Sequence, residues 1–262
     1  MVDFKQNGLV IQERELGEND KLLIILTEKH GKLPVISKGA KSLKNRHIAS
    51  SQLFAYANYR LRKKGSFYYI LESDLIESYF EIRNDLLKLS LASYICEIVN
   101  DVAREGNNED EILRLALNTL YAIAKDLKPI SMIKASFEMR ISCELGFAPD
   151  LSGCCKCSSY SEKSYIFDIS DGVLLCEKCK VSTSFETETN SFVDMGLNKP
   201  IALLTLEVVL AMRYIATCKQ ERFLSFNLST EHHSDFFEIC EKFLLHHLER
   251  GFETLDFYKS LI

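Results

Sequence analysis

Gln52-Leu53-Phe54-Ala55-Tyr56-Ala57-Asn58-Tyr59-Arg60-Leu61-Arg62 is the stretch on which the fold turns. Phe54, Tyr56, Asn58, Arg60 and Arg62 alternate with Leu53, Ala55, Ala57, Tyr59 and Leu61, and a period of two marks a strand with two different faces. A basic turn, Lys63-Lys64-Gly65, joins it to a second extended run, Ser66 to Glu77. Upstream, Leu9-Val10-Ile11, Leu22 to Thr27 and Lys32 to Ile36 are short apolar or alternating runs. Gly17-Glu18-Asn19-Asp20 and His30-Gly31 separate them with turn chemistry. Five strands ahead of residue 80, with no helical pattern long enough for a crossover, predict a small antiparallel barrel. The five-stranded OB-fold is the best-known barrel of that size.

The period changes near residue 81. Leu86, Leu87, Leu91, Tyr94, Ile95, Ile98, Val99 and Val102 recur at three and four residues, the spacing of an amphipathic helix. After the polar gap Glu105-Gly106-Asn107-Asn108, a second helix is predicted through Ile112, Leu113, Leu117, Leu120, Tyr121 and Ala124. A third runs from Pro129 to Gly146, proline suiting a first turn and glycine a C-terminal cap. Helical spacing returns at Pro200 to Thr217, beyond a Ser/Thr/Glu-rich loop from Ser182 to Ser191, and again from about Ser234 to Gly251. The expected class is therefore a multidomain α+β protein. Residues 1–80 form an OB-fold barrel, and residues 81–262 form a helical domain with a cysteine-rich insert at 150–182.

The insert reads Cys154-Cys155-Lys156-Cys157, eighteen residues, then Cys176-Glu177-Lys178-Cys179. A C-x2-C pair bends the chain so that both thiolates face one ion, and two such knuckles complete the tetrahedral four-sulfur shell that zinc favours. Between them, Tyr165 to Asp168 and Val173 to Leu175 flank Ser170-Asp171-Gly172, a hairpin signal that would set the second knuckle beside the first. A redox C-x2-C normally occurs once, opening a helix, and a four-cysteine shell leaves no open position for catalysis. The expected ligands of a structural zinc ion are thus Cys154, Cys157, Cys176 and Cys179. Cys155 is surplus. Cys96, Cys143, Cys218 and Cys240 stand singly within apolar patterns and read as small core residues.

The formal net charge of −5 conceals an asymmetry. Of 32 lysines and arginines, ten lie between residues 29 and 71, where no Asp or Glu occurs; the remaining 22 stand against 37 acidic residues. Such a segment is a candidate polyanion site, and the barrel is expected to bind nucleic acid. Lys32, Lys38, Lys41, Lys44, Arg46, Arg60, Arg62, Lys63 and Lys64 are the candidate phosphate ligands. Phe54, Tyr56, Tyr59, Phe67, Tyr68 and Tyr69 are interleaved among them, where rings either fill the barrel or stack on unpaired bases. Gly39-Ala40-Lys41-Ser42 lacks the upstream glycine of a phosphate-binding loop.

Nothing favours catalysis. The pairs His232-His233 and His246-His247 would project about 100° apart on a helix and so make no natural two-ligand site. Nucleophile-elbow and zinc-protease motifs are absent from the sequence, and the expectation is that the protein is not an enzyme. The first residues lack a basic segment followed by an apolar core, and no apolar run is long enough to span a bilayer. A cytoplasmic location is expected.

Several stretches together are similar to the bacterial RecO family of DNA repair and recombination proteins. They are Gly17-Glu18-Asn19-Asp20-Lys21-Leu22, Leu26-Thr27-Glu28-Lys29-His30-Gly31-Lys32, Lys38-Gly39-Ala40-Lys41, Phe137-Glu138-Met139-Arg140, Leu145-Gly146-Phe147-Ala148-Pro149-Asp150-Leu151, the two knuckles, and Phe243-Leu244-Leu245-His246-His247-Leu248. The resemblance implies an N-terminal OB-fold, a helical domain and, in many members, a zinc finger. It implies binding to single- and double-stranded DNA, annealing of complementary strands, and work with RecR. Together they would help load RecA onto DNA coated by single-stranded-DNA-binding protein (SSB). Some members lack the zinc ligands, which separates the metal from the activity, and the acidic helical part argues against a broad DNA surface beyond the barrel. An alternative reading of the residues is a zinc-ribbon adaptor in transcription or translation.

Overall fold

A computed structural model describes residues 3–42, 44–181 and 200–262, so the Ser182 to Ser191 loop lies outside the described residues. The chain forms two compact units, one of residues 1–130 with 252–262 and the other of residues 131–251.

The first unit opens with β1 (Asp3–Leu16), β2 (Asp20–Thr27), β3 (Gly31–Ser37), β4 (Tyr56–Lys64) and β5 (Phe67–Glu77). They close into a barrel in the order β1-β2-β3-β5-β4, with β1 also paired to β4. Neighbours are antiparallel except β3 and β5, which run parallel at Val35↔Tyr68 and Ile36↔Tyr69. This is the expected OB-fold arrangement. Alternation fills it: Ala57, Tyr59 and Leu61 of β4 point inward to meet Val10, Leu23, Ile25, Leu33 and Val35. Each large side chain so buried contributes about 1.5–3 kcal/mol.

The expected strand from Gln52 differs at its start. Residues before Tyr56 turn instead, with Phe54 at φ 68° in the left-handed region. The turn is fixed because the Phe54 N–H donates to the Val10 carbonyl and the Val10 N–H to that of Ala55, both at 2.9 Å. Burial of the Phe54 ring offsets the backbone strain. Arg83 closes over that ring at 5.9 Å and donates to the Leu53 carbonyl at 2.6 Å.

Three helices belong to the same unit: α1 (Leu86–Val102), α2 (Asp110–Ala124) and, near the C-terminus, a short helix (Glu253–Lys259) that apolar spacing did not reveal. Asp85 caps α1 by accepting from Leu87 and Lys88 N–H groups. The α1–α2 connection is sewn to the barrel at the β2–β3 turn: Gly106 N–H donates to the His30 carbonyl, Glu109 N–H to that of Glu28, and Lys32 N–H to that of Arg104. Gly31, at φ +61°, lies so close that a Cβ would sit 1.8 Å from the Arg104 oxygen, so no other residue fits.

The second unit contains α3 (Ile130–Glu144), β6 (Asp150–Cys154), β7 (Ser164–Asp168), β8 (Val173–Cys176), α4 (Glu177–Val181), β9 (Ile201–Thr205), α5 (Leu206–Thr217) and α6 (His233–Leu248). Four strands form one sheet in the order β6-β8-β7-β9. The expected helix from Pro200 is corrected here: residues 201–205 are a strand and the helix starts at Leu206. Ile201-Ala202-Leu203-Leu204 is a short apolar run of the kind periodicity cannot assign, and pairing with β7 from Ile201↔Asp168 to Thr205↔Ser164 decides it. Met139, Phe167, Leu174, Met212, Phe236 and Phe243 share its core. Within this core, Lys134 bridges Glu138 and Glu241, each at 2.7 Å.

Candidate metal centre and nucleic-acid interface

The predicted hairpin forms as β7 and β8, in register from Tyr165↔Cys176 to Asp168↔Val173. Asp168 builds its turn by accepting from the Ser170 and Asp171 N–H groups at 2.9 and 3.0 Å, while Gly172 supplies φ +64°. Parallel pairing of β6 with β8 then brings Cys154 opposite Leu174, one short step from Cys176. The first knuckle is tied by Cys154 N–H to the Ser159 carbonyl, Ser158 N–H to that of Cys154, and Cys155 N–H to that of Leu174, all at 2.8 Å. Gly153 is required for this closure, since a Cβ there would lie 2.8 Å from the Ser159 oxygen. The second knuckle is the step from β8 into α4, which carries Cys179.

All four predicted sulfurs therefore converge. Those of Cys154, Cys157, Cys176 and Cys179 lie within 4.8 Å of one another, with Cys157 and Cys176 at 3.6 Å. A tetrahedral shell with bonds of about 2.3 Å has edges near 3.8 Å, so the cluster fits a metal ion with little adjustment. Burial opposes ionisation of Cys154, yet backbone N–H groups of Cys176, Cys157 and Lys156 lower its pKa to about 6. The neighbouring Cys157 and Cys176 push Cys179 up to about 12. Thiols bind a metal ion as thiolates, so an ion entering this cluster would release protons. Cys155 is exposed and outside the cluster.

The predicted DNA-binding residues are less uniform. Arg46 and His47 lie against β5: Arg46 donates to the Leu71 carbonyl at 2.8 Å, and His47 meets the Ser73 hydroxyl at 2.6 Å. The Lys38 ammonium stands 5.6 Å above the Tyr69 ring and that of Lys63 5.3 Å from the Tyr68 ring. Lys44 and Lys64 are exposed and form no ion pair among the described residues. Lys41 pairs with Glu15 at 3.0 Å. Lys32 is turned inward, donating to the Asn100 carbonyl at 2.6 Å.

Arg60 and Arg62 have counter-ions that the anion-free window did not reveal. Asp3 receives Arg62 through Nε at 2.7 Å and Nη2 at 2.9 Å, and Arg60 at 3.4 Å; Glu72 takes the other side of Arg60 at 3.1 Å. Those acids come from the far end of β1 and from the first position past the basic window. Only strand register brings them in, so no local pattern could have found them. The aromatic candidates divide similarly. Phe54, Tyr59 and Tyr68 are buried, whereas Phe67 is exposed and Tyr56 and Tyr69 are half-buried. Among the described residues His246 and His247 close α6, where His247 stacks on Phe243 at 4.3 Å and on Phe147 at 5.0 Å. Both serve packing.

A closed OB-fold barrel with a cationic outer loop, joined to a helical unit that carries a four-cysteine knuckle, defines the class of protein. The chain belongs to the RecO family: the model of the Recombination protein O N-terminal domain matches residues 1–79 and that of its C-terminal domain residues 83–190. Similar proteins include the DNA repair protein RecO of Acetivibrio thermocellus, 32% identical over 98% of this chain and 97% of the relative. Those of Alkaliphilus metalliredigens and Thermoanaerobacter sp. are each 28% identical over 98% of this chain, covering 99% and 98% of the relatives. Among the described residues no helix is long and apolar enough to cross a membrane.

Proposed function

We propose that this protein is a cytoplasmic DNA-binding recombination mediator in DNA repair. In this reading it anneals complementary strands and, with RecR, helps load RecA onto SSB-coated single-stranded DNA. One observation carries it: exposed cations of loop 38–46 and of the β4–β5 turn line the outside of an OB-fold barrel in a member of the RecO family. Lysines that face solvent without acidic partners exchange their counter-ions for DNA phosphates at little cost. Annealing needs no covalent step. Screening two strands together lowers their mutual repulsion long enough for bases to pair.

Residues 1–80 serve as the DNA-binding domain in this reading, and the four cysteines hold zinc as a brace for the second unit. Lys38, Lys44, Arg46, Lys63 and Lys64 neutralise phosphates directly. Lys41, Arg60 and Arg62 contribute after exchanging a carboxylate for a phosphate, and Lys32 acts through the fold.

The test is titration of single-stranded DNA at several salt concentrations. Replacing Lys41, Lys44 and Arg46 by alanine should weaken binding and flatten the salt slope by about 0.7 for each phosphate no longer neutralised. An unchanged slope would sink the assignment. Acceleration of annealing on SSB-coated strands, and its increase with RecR, tests the mediator role separately. Metal analysis should give close to one zinc per chain, and less than about half an equivalent would count against zinc.

A further inference from the structure

Asp3 occupies an unusual place for an acid. The β1–β4 register sets Asp3 opposite Arg62 and Lys5 opposite Arg60. The β4–β5 register continues the same rows, placing Tyr69 opposite Arg62 and Glu72 opposite Arg60. Directly opposed residues share a face of a sheet, so one row across the outside of the barrel reads Asp3, Arg62, Tyr69, with Lys38 standing above the ring. The row crosses the surface assigned above to DNA. Within it the Asp3 carboxylate takes the Arg62 guanidinium side-on, through two hydrogen bonds of 2.7 and 2.9 Å, and reaches Arg60 with the same Oδ2.

That is how a phosphate binds arginine: two oxygens against a planar fork, with a second cation on one oxygen. We infer that Asp3 is a built-in phosphate mimic that occupies a two-arginine subsite for single-stranded DNA and thereby sets the protein's affinity and its sensitivity to salt. The inference rests on the barrel being the DNA-binding element. A strand laid along loop 38–46 meets two kinds of cation. Lys38, Lys44, Lys63 and Lys64 are available at once, whereas Arg62 becomes available when a phosphate displaces Asp3, and Arg60, which Glu72 also holds, becomes available in part. The exchange replaces one anion by another and releases fewer counter-ions than an unoccupied cation would. The parent protein therefore draws little affinity from these two arginines, although they lie beside a ring able to stack on a base.

The other groups facing the cluster agree with this role. Glu72 holds the far side of Arg60 at 3.1 Å, and Lys5 is exposed without an ion pair among the described residues. Asp3 itself is held below the ordinary carboxylate range, with the Arg62 hydrogen bond as first cause. It stays charged and keeps competing across the physiological range of pH.

The experiment uses the full chain with an oligothymidylate, titrated between 50 and 200 mM salt. Asp3→Asn should bind more tightly at low salt and steepen the slope by about 0.7 to 1.4. That widens the ratio of affinities at the two salt concentrations roughly threefold for each additional phosphate neutralised. In the Asp3→Asn background, Arg62→Ala together with Arg60→Ala should abolish the increase, while the same pair of changes in the parent should alter binding much less. Asp3→Ser serves as a second variant, and Asp3→Glu should restore the parent slope. An Asp3→Asn slope equal to the parent's, or an increase that survives removal of both arginines, overturns the inference. If removing Lys38, Lys44, Lys63 and Lys64 leaves binding unaltered, the barrel is not the DNA site and both readings fall. Lysine-dependent binding that ignores Asp3 overturns the mimic alone.

Discussion

The knuckle and the barrel face are built on opposite principles. At the knuckle, four sulfurs are brought within 4.8 Å by backbone hydrogen bonds and strand pairing, and the residues that make the site also stand in a fixed spacing along the chain. On the barrel face the proposed site is a field. Its cations act at a distance, and any carboxylate the fold delivers can cancel them, as Asp3 and Glu72 do for Arg60 and Arg62. A ligand set is local and can be read from spacing. A charge balance belongs to the folded surface and depends on partners tens of residues away.

The contrast is put under most strain at the metal. Cys176→Ser removes a buried thiol of the candidate metal cluster where β8 enters α4; if the proposed zinc is bound there, the change should cost the second unit at least about 3 kcal/mol and bring zinc content below half an equivalent. DNA affinity of the folded fraction should stay within about twofold of the parent, since the barrel has its own core. A large drop in affinity without unfolding would mean that the two regions are not separable.

Gly31→Ala is the barrel-side counterpart. A Cβ placed 1.8 Å from the Arg104 carbonyl oxygen, on a backbone at φ +61°, forces the β2–β3 turn away from the α1–α2 connection. Destabilisation by about 3 kcal/mol is expected in denaturant unfolding of the apo and metal-loaded protein alike. Dependence of that figure on metal would contradict the separation.

Removing Lys38, Lys44, Lys63 and Lys64 together should leave stability within about 0.5 kcal/mol and flatten the salt slope by up to about 2.8. The smallest effect concerns His47, held below the usual imidazole range by burial first and by Arg46 second. The unfolded chain therefore takes up this proton before the folded one does. The contribution is complete above the ordinary value of 6.5 and is lost as pH falls through the lowered one. Unfolding midpoints measured between pH 7 and pH 5 should fall slightly in the parent, and less in His47→Gln.

Much of the barrel was legible because each of its strands carries its own alternation or turn. Ala57, Tyr59 and Leu61 point inward as their period requires. Phe54 departs from the pattern because a tertiary pair of hydrogen bonds with Val10 holds it in a turn, which propensity cannot report. The cysteines and their hairpin could be read for the reason already given. Residues 201–205 could not, because an apolar run of that length becomes strand or helix according to what it lies beside, and its partner β7 is more than thirty positions earlier. The short helix from Glu253 to Lys259 is held by hydrogen bonds such as Thr254 N–H to Glu97, again outside any local window.

The sheet order β6-β8-β7-β9 has a consequence for anyone who would treat the metal knuckle as a portable module. Residues 150–182 look excisable, since both cysteine pairs and the hairpin lie within them. Yet β7 is an interior strand only because β9 arrives later in the chain and pairs with it from residue 201 to residue 205. Cut out alone, the piece would keep all four cysteines and expose the N–H and C=O groups of β7 as a bare edge, the feature that recruits a second copy edge to edge. A transplantable finger would have to end beyond Thr205, or carry a charged residue on β7 to discourage self-association.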